Sequence, residues 1–232
     1  MIKRALILLT LLLTAGIFAQ LVTHYSEHQQ LTKLGQRYAD QGPAELGAAN
    51  LVTAVVVTYR GLDTLGEVTV LFISAAGAGL MLRRRERPQA TARPEEKKPA
   101  SEIVETAAEL LLPIIFLFGV YVFVNGHLSP GGGFQGGAII AAGSLLLLLA
   151  LPDAKLRHRL IGVTESLSGF GYVAVGVLGV ILAGGFLDNR IMPLGTFGTL
   201  FSAGAIPLIY TLVGLKVGSE LSAVLDRFRD AD

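Results

Sequence analysis

The chain has 232 residues, of which 52% are apolar, and a formal net charge of +1, with its charges gathered into a few blocks. Cysteine is absent, which excludes disulfides, thiolate metal sites and cysteine nucleophiles, and near-neutrality gives no whole-molecule case for a nucleic-acid partner. A half-apolar chain with bunched charge reads as an integral membrane protein.

Behind Lys3 and Arg4, Ala5 to Leu21 is an apolar run. At about 1.5 Å rise per residue it reaches across most of a hydrocarbon core. A signal peptide has the same look, with Ile17-Phe18-Ala19 as a weak cleavage site. His24 to Leu46 is polar and mixed in charge, a loop with room for a short surface helix. His24 and His28 stand at i,i+4, but no carboxylate-plus-histidine constellation supports them as ligands, so no metal is expected. Leu51 to Tyr59 is too short to span and rich in valine and threonine. It reads either as a half-inserted helix or as a buried extended piece. Thr64 and Glu67 have the spacing of a capping box, so Leu65 to Leu82 is predicted to be the second span.

Arg83-Arg-Arg-Glu-Arg87 stops that helix, and the tract 83–101 holds three prolines among lysines and glutamates without apolar periodicity. It is an exposed cytoplasmic linker and the domain boundary. Residues 1–82 form a two-helix membrane domain and residues 102–232 a four-helix one. Ile103 to Val124 is the third span, bent at Pro113. The fourth starts beside Ser129-Pro130 and ends near Leu151, the fifth covers Ile161 to Phe186, and the sixth covers Leu200 to Leu215 with Pro207 inside it. Asp226-Arg-Phe-Arg229 closes the chain in water. The fold class is therefore all-α, a polytopic membrane protein of about six transmembrane helices. Basic groups at the start, at 83–98, at 155–159 and at 227–229 then share one side, which makes both termini cytoplasmic in a multi-pass cell membrane protein.

Val124 to Gly137 is polar and crowded with glycine between two hydrocarbon runs. Gly131, Gly133 and Gly136 fit G-x-G-x-x-G, but that fingerprint requires a preceding strand in a βαβ unit, so a dinucleotide is excluded. Instead Ser129 suits an N-cap and Pro130 the first helical position. Pro130, Gly132, Gly133, Gly136 and Gly137 are the turn and helix-packing residues, and Gly133, Gly137 and Ala141 form a small-residue stripe for close helix contact. Beside that reading stands a functional one, in which Asn125, His127 and Gln135 line a hydrated pocket at the mouth of an ion path. His127 taken alone reads as interfacial.

Glu102, Glu105 and Glu109 lie on one face of the third helix. The macrodipole explains Glu102 and Glu105, while Glu109 is deeper and able to collect protons or sodium ions. Asp63 and Glu67 stand beside Arg60 at the outer start of the second helix, as cap residues or as ion-path groups. Lys216 and Glu220 lie one turn apart at the inner end of the last helix, as a surface ion pair with a snorkelling lysine or as a proton relay. Glu165, at the start of the fifth helix, has the same dipole explanation as Glu102.

The stretch Asn125-Gly-His-Leu-Ser-Pro-Gly-Gly-Gly-Phe-Gln-Gly-Gly137 resembles the signature of the MnhB/MrpB-type subunit of the multisubunit Mrp-type sodium/proton antiporters. The resemblance runs from about Glu102 to Leu225 and includes Phe186-Leu-Asp-Asn, Phe201-Ser-Ala-Gly-Ala-Ile-Pro and Gly214-Leu-Lys-Val-Gly-Ser-Glu220. Asn50 to Glu67 is similar to the C-terminal end of the large, A-type antiporter subunit, a piece that is a separate small subunit in related membrane-bound hydrogenases. The resemblance implies a fusion of two neighbouring pieces and a non-catalytic membrane subunit of a hetero-oligomer. Its partners would be other antiporter or hydrogenase membrane subunits and its transported ions Na+ and H+. It implies no redox centre or other cofactor. The main rival parent is a hydrogenase or another ferredoxin-linked, ion-pumping respiratory complex.

Overall fold

In the computed structural model, residues 2–25, 30–83, 100–151 and 153–231 are described. The helices are α1 (Ile2–His24), α2 (Lys33–Leu46), α3 (Leu51–Ala54), α4 (Gly61–Arg83), α5 (Glu102–Val124), α6 (Gly133–Ala150), α7 (His158–Ala183) and α8 (Ile206–Ala231). A π-helical turn, Val55–Tyr59, continues α3, and a 3-10 turn, Asn189–Ile191, lies before α8. Among the described residues the nearest approach to a sheet is one isolated bridge between Gly195 and Ser202. Among the described residues six helices are long and apolar enough to cross a bilayer, which makes this an all-α, multi-pass membrane protein.

The chain divides into two compact units, Met1–Arg37 and Tyr38–Asp232. In the first, α1 is apolar all round, and Leu8, Leu12 and Ile17 are exposed. Such a helix suits hydrocarbon or a partner helix rather than water. The second unit is built around α8, which packs on α4, α5, α6 and α7. Its core joins Val57 and Val68 to Tyr172, Val175, Ile209 and Val213.

Local chemistry sets the helix ends. Ser101 caps α5 by accepting from the Val104 amide at 3.4 Å, with Glu102 and Glu105 in the first turn, where the macrodipole favours them. The start of α6 differs from expectation: Ser129 and Pro130 lie in the turn before it, the Ser129 hydroxyl donates back to the Asn125 carbonyl at 3.3 Å, and the helix begins at Gly133. Gly131 at φ 150° and Gly132 at φ 158° carry the chain into the helix, a route closed to residues with a Cβ. Thr64 is likewise no cap. It lies inside α4, which starts at Gly61, and donates to the Val56 carbonyl at 2.9 Å.

The last span also departs from the predicted Leu200 to Leu215. Ala203 (φ 63°) and Gly204 (φ 57°) are left-handed, so the chain turns there and α8 begins at Ile206. Pro207 then falls in the first turn, where its missing amide is harmless. The helix continues to Ala231, so the 226–229 segment is helical, and Asp226 is 1% exposed rather than in water. Leu51 to Tyr59 is helical, not extended. The linker residues 84–99 and His28 lie outside the described residues.

Candidate functional site

Two polar assemblies stand out among the described residues of the second unit. The first stitches loops together around the glycine stretch. Asn50 sends its side-chain amide to the carbonyls of Gly126 and Ser129, both at 2.9 Å, and its backbone amide to His127 at 3.0 Å. Thr53 donates to Gly126 at 2.6 Å, and Tyr210 on α8 donates to Thr53 at 3.2 Å. Asn189 donates to Leu46 at 2.8 Å and Ala203 at 2.9 Å. Buried non-helical backbone needs such partners, because it has no neighbouring turn to bond with and no water to replace one.

His127 belongs to this assembly and is fully buried, not interfacial. Its Nε2 lies 3.4 Å from the Thr199 carbonyl, and Nδ1 has no hydrogen-bond partner among the described residues. Burial pushes its pKa below the ordinary imidazole value, with nearby carbonyls pulling the other way. Asp188 accepts at Oδ1 from the Arg190 Nε at 2.9 Å, and that guanidinium holds the carboxyl below its usual range. Asn125 is half-buried and Gln135 exposed, so the expected trio does not line one pocket.

The glycines that follow lie at helix contacts. A Cβ on Gly133 would stand 2.7 Å from Val213, and one on Gly137 2.7 Å from Val217 and 2.9 Å from the Gly214 carbonyl. Gly136 faces the other way, onto the Gly119 carbonyl of α5. These three let α6 lie backbone to backbone against α8 and α5, where tight packing replaces the hydrophobic drive that lipid removes.

The second assembly sits among the spans. Lys216 and Glu220 are one turn apart on α8, 8% and 2% exposed, with Nζ donating to Oε2 at 3.1 Å. Because α8 runs to Ala231, this pair lies in mid-helix rather than at an inner end, which corrects the surface-pair reading. Glu165 of α7 places a second carboxylate 3.8 Å from the same ammonium, and the Phe72 ring of α4 lies under it at 5.1 Å. The lysine stem passes over Gly169 of α7. The other carboxylate oxygen of Glu220, Oε1, has no hydrogen-bond partner among the described residues. A cavity of about 370 Å³ opens beside it, floored by Ala75, Ala76 and Gly79 of α4 and bordered by Glu165, Glu220 and Arg227.

An ammonium between two carboxylates, next to a space able to hold water, has the parts for exchanging a proton or a monovalent cation. The structure brings Lys216 and Glu220 together and adds Glu165, whose α7 position had suggested only a dipole role. It leaves the other candidates apart. Asp63 is exposed in the first turn of α4 and paired with Arg60 at 2.5 Å. Glu67 is exposed one turn further on, Glu109 is exposed on α5, and His127 lies in the loop assembly. Asp226 escaped sequence reading. It pairs with Arg229 at 2.9 Å and lies 3.4 Å from His158, while Arg229 donates to the Ala154 carbonyl at 2.7 Å. Its signal was the i,i+3 spacing of Asp226 and Arg229. No group of three or more histidine and acidic residues able to hold a metal occurs among the described residues.

Residues 103–223 match the family described as a domain related to the MnhB subunit of Na+/H+ antiporters, and residues 3–98 match the family described as the E-type subunit of MBH, MbhE. Among solved structures, one chain of the membrane-bound sulfane sulfur reductase, an archaeal respiratory membrane complex, is 44% identical with a TM-score of 0.79, covering 98% of both chains. A chain of the Mrp complex from Dietzia sp. DQ12-45-1b is 26% identical with a TM-score of 0.77, over 97% of this chain and 26% of that one. The B-type subunit of the Na+/H+ antiporter of Bacillus subtilis is 43% identical over 90 residues, 38% of this chain and 59% of that protein. This chain thus spans only part of the Bacillus and Dietzia proteins.

Proposed function

We propose, for a chain that belongs to the family of domains related to the MnhB subunit of Na+/H+ antiporters, that it is a membrane subunit of a multisubunit monovalent cation/proton antiporter and handles ions at Lys216, Glu220 and Glu165. The observation that carries this is the buried Glu220 carboxylate, held by Lys216 through one oxygen and bordering the 370 Å³ cavity. A charge at that depth without full pairing is costly, and ionisable groups kept in membrane spans despite that cost mark ion and proton paths. Protonation of Glu220 would weaken its hold on the ammonium and leave Glu165 as the nearer charge. The same amine would then answer two carboxylates in turn. The subunit itself is not an enzyme. Its partners are other antiporter-type membrane subunits, and its cargo is Na+ and H+.

In membrane vesicles carrying the assembled complex, Glu220→Gln and Lys216→Met are expected to lower sodium-dependent proton flux at least about tenfold, in line with the loss of one proton-transfer group. Wild-type flux from both variants, with all subunits recovered, would leave a scaffold. Glu67 is the next candidate, as a carboxylate exposed on an apolar helix, and Glu67→Ala is measured beside them.

A second reading places the same subunit in a respiratory complex related to membrane-bound hydrogenases. It is favoured by the likeness along 98% of both chains to a chain of the membrane-bound sulfane sulfur reductase, an archaeal respiratory membrane complex. Iron–sulfur absorbance in the material that copurifies with the tagged chain decides for it.

Two organisational readings accompany the function. Residues 1–82 and 102–232 are two family pieces fused through 83–101. Because α4 packs on α8, a protease site introduced between Pro88 and Pro94 should leave the two fragments co-eluting after cleavage. Separation of the fragments would count against it. Both termini face the cytoplasm, as the placement of the basic blocks suggests. The chain has no cysteine of its own, so a single Asp232→Cys can be probed with an impermeant maleimide. Labelling of intact cells would reverse the orientation.

A further inference from the structure

A second cavity, of about 280 Å³, lies on another face of α8, between that helix, α6 and α7. Ile140, Leu160, Ile161 and Leu215 supply its apolar walls, and Arg157 stands at its end. Serines also line it, but their hydroxyls are already engaged. Ser222 donates to Ser144 at 2.8 Å, Ser144 to the Ile140 carbonyl at 3.2 Å, and Ser219 to the Leu215 carbonyl at 2.6 Å. With the three serine hydroxyls taken and leucine and isoleucine side chains making most of the wall, Thr164 being the remaining hydroxyl, the lining favours a hydrocarbon occupant over a sugar or a hydrated ion.

The end of the groove has the opposite character. Arg157 borders it there, with Lys155 and Arg159 two positions away on either side in the sequence; all three are exposed, and none makes an ion pair with a described residue. The buried carboxylate nearby, Asp226, is already faced by Arg229 and His158. Asp153 is the one acidic residue in the sequence 151–159, against three lysine or arginine residues. An apolar slot between membrane helices that ends at an exposed arginine in a basic stretch matches the two halves of one molecule, an aliphatic chain and a phosphate.

We propose that this groove holds an acyl chain of an anionic phospholipid, with the lipid phosphate taken by Lys155, Arg157 and Arg159. The site lies apart from the Lys216–Glu220 pair and does not depend on ion transport. Arg157 has the central part, since it alone of the three borders the cavity.

The test uses the full chain in detergent micelles and native mass spectrometry with dioleoylphosphatidylglycerol or dioleoylphosphatidylcholine as probe. A contribution of roughly 1 kcal/mol per cation corresponds to about fivefold in retention. The unaltered chain should therefore keep the glycerol lipid at least about fivefold better than the choline lipid. Arg157→Gln should lower retention of the glycerol lipid about fivefold and leave the choline lipid unchanged, while Arg37→Gln, an exposed cation elsewhere, should change neither. Millimolar inorganic phosphate should not displace the bound lipid. Equal retention of the two lipids by the unaltered chain overturns the proposal without any variant. Displacement by phosphate, or equal effects of Arg157→Gln and Arg37→Gln, does so as well.

Discussion

Replacing Gly136 by alanine adds one methyl group, yet the structure gives that methyl nowhere to go. Its Cβ would stand 2.6 Å from the Gly119 carbonyl oxygen and 2.9 Å from the Phe123 ring, and ordinary contact begins at 3.4 Å. The deficit of about 0.8 Å falls against backbone, which cannot rotate aside as a side chain can. Relief requires α5 and α6 to part, which loosens their shared packing. Overpacking of this kind costs about 1–3 kcal/mol, and the upper end applies where backbone is the obstacle. Alanine's better helix propensity offsets about 1 kcal/mol of it, leaving a net loss of about 2 kcal/mol. Gly162 of α7 is the control, since nothing lies within 4 Å of its added Cβ. Gly162→Ala should show only the propensity gain of about 1 kcal/mol. The assay is titration of the purified chain from mild detergent into sodium dodecyl sulfate, followed by circular dichroism. A separation between the two variants of about 3 kcal/mol is expected. If Gly136→Ala is as stable as Gly162→Ala, the close approach of α5 and α6 is wrong.

Three further outcomes are expected in the same assay. Asn189→Ala strands the buried Leu46 carbonyl and removes a second donor from the Ala203 carbonyl, which keeps the Ile206 amide, and should cost about 1–3 kcal/mol, whereas Asn125→Ala, which loses a bond within a helix end, should cost under about 1 kcal/mol. For His127 the folded pKa lies below the unfolded value, so the unfolded chain binds more protons. Stability contributed by the neutral ring is complete above about pH 6.5 and falls as the pH drops below it. His127→Asn should flatten that slope, and an unchanged slope would assign it to other groups. Lys216→Met alone leaves the Glu220 carboxylate without its cation and should destabilise by about 3–5 kcal/mol. The double variant Lys216→Met, Glu220→Gln should recover at least half of that loss, and strict additivity would mean the two groups do not interact.

Hydropathy located the spans because a run of about twenty apolar residues has few uses outside a bilayer. It misplaced the entry to α8, since Leu200 and Phe201 are as apolar as the helix that follows, and the stop is made by left-handed backbone at Ala203 and Gly204. That one error moved the ion pair. With the last span ended at Leu215, Lys216 and Glu220 read as a pair at the inner end of the last helix, a surface ion pair or a proton relay. With the helix carried to Ala231, they are interior. The partner from α7 was out of reach for a different reason. Glu165 and Lys216 are 51 positions apart in the numbering, and no periodicity along one helix reports which neighbour it meets. His127 was misjudged because burial there comes from loops folding over the glycine stretch. Asn50 and Thr199, which close it in, lie more than seventy positions away on either side.

The bonds from Asn50 and Thr53 to the carbonyls of residues 126–129 cross between two segments that match different families. Where those segments occur as separate polypeptides, such contacts would have to be won by collision at whatever concentration the membrane supplies. On one chain the encounter is intramolecular, with an effective concentration on the order of millimolar for a short tether. A junction that as two chains would hold with only micromolar affinity is then occupied about a thousandfold more often than it is open. Substitutions at Asn50 or Thr53 that would dissolve a two-chain assembly should therefore be tolerated here, and a single chain is free to drift at that seam.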